Sequence, residues 1–170
     1  MSLSINIRRE KPEDIDKIHH VTVAAFLDAP HTDHTEQFIV KALRNSEALT
    51  VSLVAEDAGQ IVGHVALSPV TVSDGASNWY GLGPISVLPE RQGKKVGSKL
   101  MHEAISELKH LQANGCVLLG DPNYYSRFGF KPVNGLVLPD VPPEYFQAIL
   151  IQGTYPQGSV AYHESFSAQG

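Results

Sequence analysis

The tightest constraint on this chain is an apolar strand that runs through a glycine turn into a long amphipathic helix. Ile85, Ser86, Val87 and Leu88 lead through Pro89-Glu90-Arg91 into Gln92-Gly93-Lys94-Lys95-Val96-Gly97-Ser98. Beyond the turn Val96, Leu100, Met101, Ala104, Ile105 and Leu108 recur on one helical face, while Lys95, Lys99, His102, Glu103 and Lys109 mostly turn away from it. Glycine lets backbone approach a ligand closely, and the first N–H groups of a helix lack internal partners. With the positive end of the helix behind them, such donors suit a diphosphate. Arg91, Lys94 and Lys95 add charge of the right sign. The same turn also serves as a plain strand-to-helix connection, and its residues alone do not separate the two readings. Two other phosphate turns do not fit. There is no G-x-G-x-x-G, and Gly93-Lys94 is followed by Lys95 rather than Ser or Thr, with no glycine five positions before it.

The neighbouring segments set this unit in a mixed sheet. Residues 4–9 alternate Ile5 and Ile7 with polar neighbours, as a half-buried strand does, and Pro12 suits the opening of a helix. Apolar or small residues recur at helical spacing through Ile15, Ile18, Thr22 and Ala25, ending before Asp28-Ala29-Pro30, and a second helix is predicted over residues 33–45. Strands are predicted over 48–56, 60–72 and 79–88 as an antiparallel meander, with Asp57-Ala58-Gly59 turning the first pair. A buried strand at 116–119 after the long helix implies a parallel crossover. A short helix at 122–127, a helix at 144–149 and a last strand at 159–163 complete the expectation. The fold class is mixed α/β, a single domain over residues 1–170 without repeat or linker.

Composition narrows the partners. The 13 basic and 18 acidic side chains leave a net charge of −5, which argues against an extended nucleic-acid footprint. Cys116 is the single cysteine, between core-like neighbours, so no intrachain disulfide is expected and a reducing cytoplasm fits. No apolar run approaches the roughly 20 residues a membrane span needs, and residues 1–15 have no signal-peptide pattern. Eight histidines raise a metal reading, but His19-His20 cannot share one helical face and His31-x-x-His34 lacks further recognisable ligands, so no metal is expected. Glu13, Asp14 and Asp16 read as a first helical turn complementing the macrodipole.

The segment VLPERQGKKVGSKLM resembles the coenzyme-A-binding motif of the GCN5-related N-acetyltransferase (GNAT) superfamily, Gln/Arg-x-x-Gly-x-Gly/Ala, with Gln92 and Gly97 in the outer positions and Lys95 where the family has its first glycine. Downstream, GDPNYYSRFGF at 120–130 resembles the second signature, a Tyr four residues before a closing Gly-Phe. Within the superfamily, these forms are most similar to the YhbS-like acetyltransferases. The resemblance implies a strongly twisted sheet of about six to seven strands flanked by helices and splayed between its central strands, with acetyl-CoA in the opening. It implies transfer of the acetyl group to a primary amine by direct attack in a ternary complex, the acceptor being a small molecule or a protein amine. A homodimer is compatible with it, and neither nucleic acid nor membrane is an expected partner. Acyl transfer from a longer acyl-CoA and a non-catalytic coenzyme-A sensor remain the alternatives.

Carried over residue by residue, the family's pyrophosphate turn implicates Gly93, Lys95, Gly97 and Ser98, with Gln92 starting the turn and Lys94 and Val96 between them. Ile85, Ser86 and Val87 occupy the splayed strand, Val87 as the backbone donor to the thioester carbonyl and Ile85 pairing the pantetheine arm. Tyr125 matches the tyrosine that protonates the departing thiolate, with packing as its other reading and Tyr124 as its neighbouring alternative. Phe128 joins the coenzyme-binding set while also reading as core. Ser86, Glu90, His64 and a water chain all stay open as the route for the amine proton. His31, Asp33 and His34 fall where the family borders its acceptor groove.

Overall fold

The computed structural model describes residues 5–29 and 32–169; Ser4, Pro30 and His31, on which parts of the expectations above fall, lie outside them. Eight strands, β1 (Asn6–Arg9), β2 (Val51–Asp57), β3 (Gln60–Val72), β4 (Trp79–Val87), β5 (Gly115–Leu119), β6 (Leu136–Val137), β7 (Phe146–Leu150) and β8 (Gly158–Tyr162), combine with helices α1 (Ile15–Phe26), α2 (Glu36–Asn45), α3 (Val96–His110) and α4 (Pro122–Tyr125). The sheet order is β1-β2-β3-β4-β5-β7, with β8 paired to the far half of β3 and β6 paired to β8. The expected antiparallel meander forms as β2, β3 and β4. Ala58 and Gly59 both take positive φ in the two-residue turn between β2 and β3, as a primed hairpin turn requires.

Side-chain periodicity explains the layers. Val96, Leu100, Met101, Ala104 and Leu108 form the buried stripe of α3 against Val51, Leu53, Ala55, Val65 and Leu67 of the sheet. On the opposite face Ile18 and Val21 of α1 and Val40 of α2 cover Val54 and Ile61. A third cluster, with Trp79, Val117, Phe146 and Val160, closes the far end. Asp14 is more than a partner of the helix dipole. It accepts from Arg8 Nη1 at 2.7 Å and from the Lys11 N–H at 2.7 Å, and the Arg8 hydrogen bond holds its carboxyl below the usual carboxylate range. Arg8 also reaches Glu56 at 3.0 Å, so one guanidinium ties the entry of α1 to β1 and β2.

The C-terminal part differs from the sequence reading. The helix expected over 144–149 is a 3-10 turn, Pro143–Tyr145, followed by β7, which pairs antiparallel with all five residues of β5. Pairing satisfies the second edge of a buried strand, whose N–H and C=O groups would otherwise be stranded in the core, and that gain outweighs the local helical pattern. The two-residue β6 has no counterpart in the sequence expectation, and with it the described residues form eight strands where about six to seven are expected.

Candidate active site

The parallel pair β4 and β5 holds together over only three registers, Trp79 to Gly115, Tyr80 to Cys116 and Gly81 to Val117. Past Gly81 the strands part, since β5 continues into its pairing with β7 while β4 follows β3. The register between β3 and β4 shifts where Gly83 and Pro84 stand opposite Ala66, so β4 carries a bulge at the mouth of the opening. Beyond the bulge the orientation of each peptide follows from parity. The Leu88 N–H donates to the Val62 carbonyl at 2.9 Å, which makes Ser86 a hydrogen-bonded pair with His64 and directs the backbone groups of Ile85 and Val87 away from β3, into the opening. The carbonyl of Val87 accepts from Gln92 Nε2 at 3.1 Å, leaving its N–H as the free group.

That bond from Gln92 also folds the turn back onto the end of β4. Gly93 (φ 78°) and Lys95 (φ 68°) both take the left-handed conformation, so the glycine position of the motif is occupied by a lysine in a glycine-like geometry. Lys95 precedes α3, and the first bond inside the helix runs from the Lys99 N–H to the Lys95 carbonyl. The N–H groups of Val96, Gly97 and Ser98 therefore have no acceptor within the helix, and its first turn holds no acidic side chain. They border a cleft of about 410 Å³ lined by Gln92, Gly93, Lys95, Gly97 and Ser98, with Val87 at one end and Tyr124 and Arg127 facing them. The Val96 side chain itself is in the core. Lys94 is exposed and does not line the cleft. Arg91 is engaged by Asp57 at 2.5 Å. Tyr124 and Arg127 extend the set read from sequence. A Cβ on Gly97 would stand 3.0 Å from the Tyr124 hydroxyl, and the Arg127 guanidinium lies 5.0 Å from the Tyr124 ring centroid.

Tyr125 serves the adjoining cleft, of about 540 Å³, whose floor is the parted edge of β4 at Leu82, Gly83, Pro84 and Ile85. Asp121 starts the short helix carrying both tyrosines by accepting from the Asn123 N–H at 2.9 Å. Burial, then the neighbouring Tyr124 and Asp121, push the Tyr125 phenol up to about 12, so it keeps its proton at neutral pH. Phe128 lines neither cleft; it stacks edge-on against Tyr124 at 5.4 Å and His102 at 5.2 Å, bracing the tyrosine from behind.

The candidate proton carriers separate. Ser86 turns its buried side chain to the α1 and α2 face, opposite His64. There His64 Nε2 meets Ser52 Oγ at 2.8 Å, and Ser52 donates to Glu10, which Arg44 holds at 2.7 Å. Because Ser52 gives its proton to Glu10, His64 is the donor and carries its hydrogen on Nε2. Burial pushes the His64 imidazole down to about 4. Glu90 is exposed beyond the end of β4, and Asp33 and His34 are exposed and do not line the cleft beside Tyr125. Glu36, which the sequence reading did not single out, does line it.

Known proteins share this architecture closely. A GNAT-family acetyltransferase from Brucella melitensis, crystallised with acetyl-CoA, superposes with a TM-score of 0.85 at 48% identity over 95% of this chain and 97% of that one. The YhbS N-acetyltransferase of Escherichia coli, crystallised with CoA, gives 0.88 at 32% identity over 100% and 96%. In sequence, the uncharacterized N-acetyltransferase YhbS of Escherichia coli strain K12 is 36% identical over 126 residues, 74% of this chain and 72% of its own length. The fold is thus that of the GNAT N-acetyltransferases. Residues 6–133 match the acetyltransferase (GNAT) domain family, and the chain belongs to it.

Proposed function

We propose that this enzyme binds acetyl-CoA along the opening of its sheet and transfers the acetyl group to a primary amine by direct attack in a ternary complex. The observation that carries the reading is the continuous run of free donors, from the amides of Val96, Gly97 and Ser98 to the outward N–H groups of Val87 and Ile85, ending beside Tyr125. The pyrophosphate lies on the helix amides, with Lys95 and Arg127 adding charge and Tyr124 flanking it. The pantetheine arm pairs with Val87, which lies between the helix amides and Ile85, as an added strand would. The Ile85 N–H, in the cleft beside Tyr125, polarises the thioester carbonyl and takes up charge as the tetrahedral intermediate forms, the part that the resemblance alone gave to Val87. Tyr125, protonated, supplies the proton that the coenzyme A thiolate needs on leaving.

A covalent acetyl-cysteine has no support in the geometry. Cys116 is fully buried in β5, and burial drives its thiol well above the usual range. A thiol kept reduced fits action in the cytoplasm, and among the described residues no helix is long and apolar enough to cross a membrane. Titration calorimetry with acetyl-CoA, joined to an assay of free thiol release over a panel of amines, tests the proposal. Saturable binding with amine-dependent thiol release is expected; binding with no release for any amine would favour a coenzyme-A sensor instead.

A further inference from the structure

Glu36 opens α2 and, among the described residues, is the one charged side chain lining the cleft beside Tyr125. Its Oε2 accepts from the Thr32 hydroxyl, while Oε1 is buried with no hydrogen-bond partner among the described residues. A carboxylate oxygen withdrawn from water costs free energy until a donor reaches it, and a positively charged donor returns the most. Among the described residues the other walls supply no such donor. Phe26, Ile39, Leu138, Tyr162 and Phe166 surround the space with apolar and aromatic surface, the last two rings edge to face at 4.8 Å, and neither Lys nor Arg is among the lining residues.

We propose that Glu36 is the acceptor's ammonium site, and that the cleft selects a monoamine with an apolar or aromatic body. One carboxylate matches one ammonium, so a polyamine would bring a second charge into an apolar wall. An amino acid would bring a carboxylate with no cation to meet it and a like charge nearby. The inference rests on the acetyl-transfer reading and assigns the step that reading left open. Glu36 takes the first proton from the bound ammonium, freeing the nitrogen lone pair. The nitrogen then bonds to the acetyl carbon as the carbon–sulfur bond breaks and its electron pair goes to sulfur. Tyr125 protonates the sulfur, and the second proton leaving nitrogen restores Tyr125. The proton on Glu36 passes to solvent, so the sum is amide, free coenzyme A and one released proton.

The probe is 2-phenylethylamine, set against phenylalanine and spermidine, with binding measured calorimetrically on the CoA-loaded protein and turnover by thiol release. Wild-type protein is expected to bind and acetylate 2-phenylethylamine in preference to the other two. Glu36→Gln should weaken amine binding by about 10-fold or more and lower kcat/KM by about 100-fold, while acetyl-CoA affinity is unchanged. Glu36→Asp should recover part of the amine affinity. Amine binding that Glu36→Gln weakens, with no acetylation, would uphold the ammonium site and overturn the transfer reading. Preference for phenylalanine or spermidine, or undiminished kcat/KM in Glu36→Gln, would overturn the site and leave acetyl transfer standing. Failure of all three amines to bind or react would overturn the site as well.

Discussion

The rings of Tyr124 and Tyr125 meet edge to face, centroids 4.9 Å apart, and belong to different clefts. Successive residues of a short helix project in different directions, so one turn of backbone supplies a neighbour for Gly97 and a phenol beside the parted strand. The division of labour is testable. Tyr125→Phe keeps the ring and removes the proton, so kcat should fall about 100-fold with acetyl-CoA affinity retained. Stopped-time thiol release and calorimetry on the same variant measure both. Full turnover would remove Tyr125 as the acid.

Gly97 stands where the helix amides and Tyr124 come together. Its absent Cβ would lie 3.0 Å from the Tyr124 hydroxyl, and a carboxylate there would also face the site we assign to the pyrophosphate. Gly97→Asp should weaken acetyl-CoA binding by about 10-fold or more through repulsion and crowding. Its melting curve in the absence of ligand separates lost binding from lost fold.

Lys95 sits at φ 68°, a conformation that costs an L-residue about 1 kcal/mol and glycine almost nothing. Lys95→Gly should therefore leave stability unchanged or raise it by up to about 1 kcal/mol, whereas the β-branched Lys95→Val should lower it. Urea unfolding of the three proteins would decide. If the valine variant matches the wild type, the left-handed turn does not exist in solution.

The His64 imidazole is held near 4 against an ordinary 6.5 because it is buried. The unfolded chain binds the proton more readily, so His64 contributes its stability in full above pH 6.5, and that contribution is lost as pH falls towards 4. The size is about 3 kcal/mol at most. His64→Gln should flatten the stability profile between pH 6.5 and 4, read from chemical denaturation at several pH values. An equally steep profile in the variant would assign the slope to other groups.

The legible parts of this chain were those governed by local rules. The strand, turn and helix from Ile85 through α3 could be read because left-handed turn residues, free helix amides and the α3 stripe each leave a mark on the sequence. Tyr125 could be singled out because its spacing to Gly129-Phe130 is local as well. Glu36 could not. A glutamate in a first helical turn looks like any partner of the helix dipole, and its distinction arises only where α2 lies against β4 and the C-terminal segment. The residues of β7 were misread because their strand is imposed by the empty edge of β5, some thirty residues away in the chain. Arg91 showed the same limit, as Asp57 at the end of β2, two strands from β4, claims it.

The link between Gln92 and Val87 carries a consequence for solubility. A parted strand in the middle of a sheet is an internal edge, and exposed edges invite foreign strands to zip on. Here the carbonyl of Val87 is already occupied at one end, and Pro84 has no N–H to offer at the other. What is left is too short to template a second strand yet long enough for a slender chain bearing amides of its own. An opening bounded in this way suits the pantetheine arm proposed for it and leaves a foreign strand few free groups to pair with.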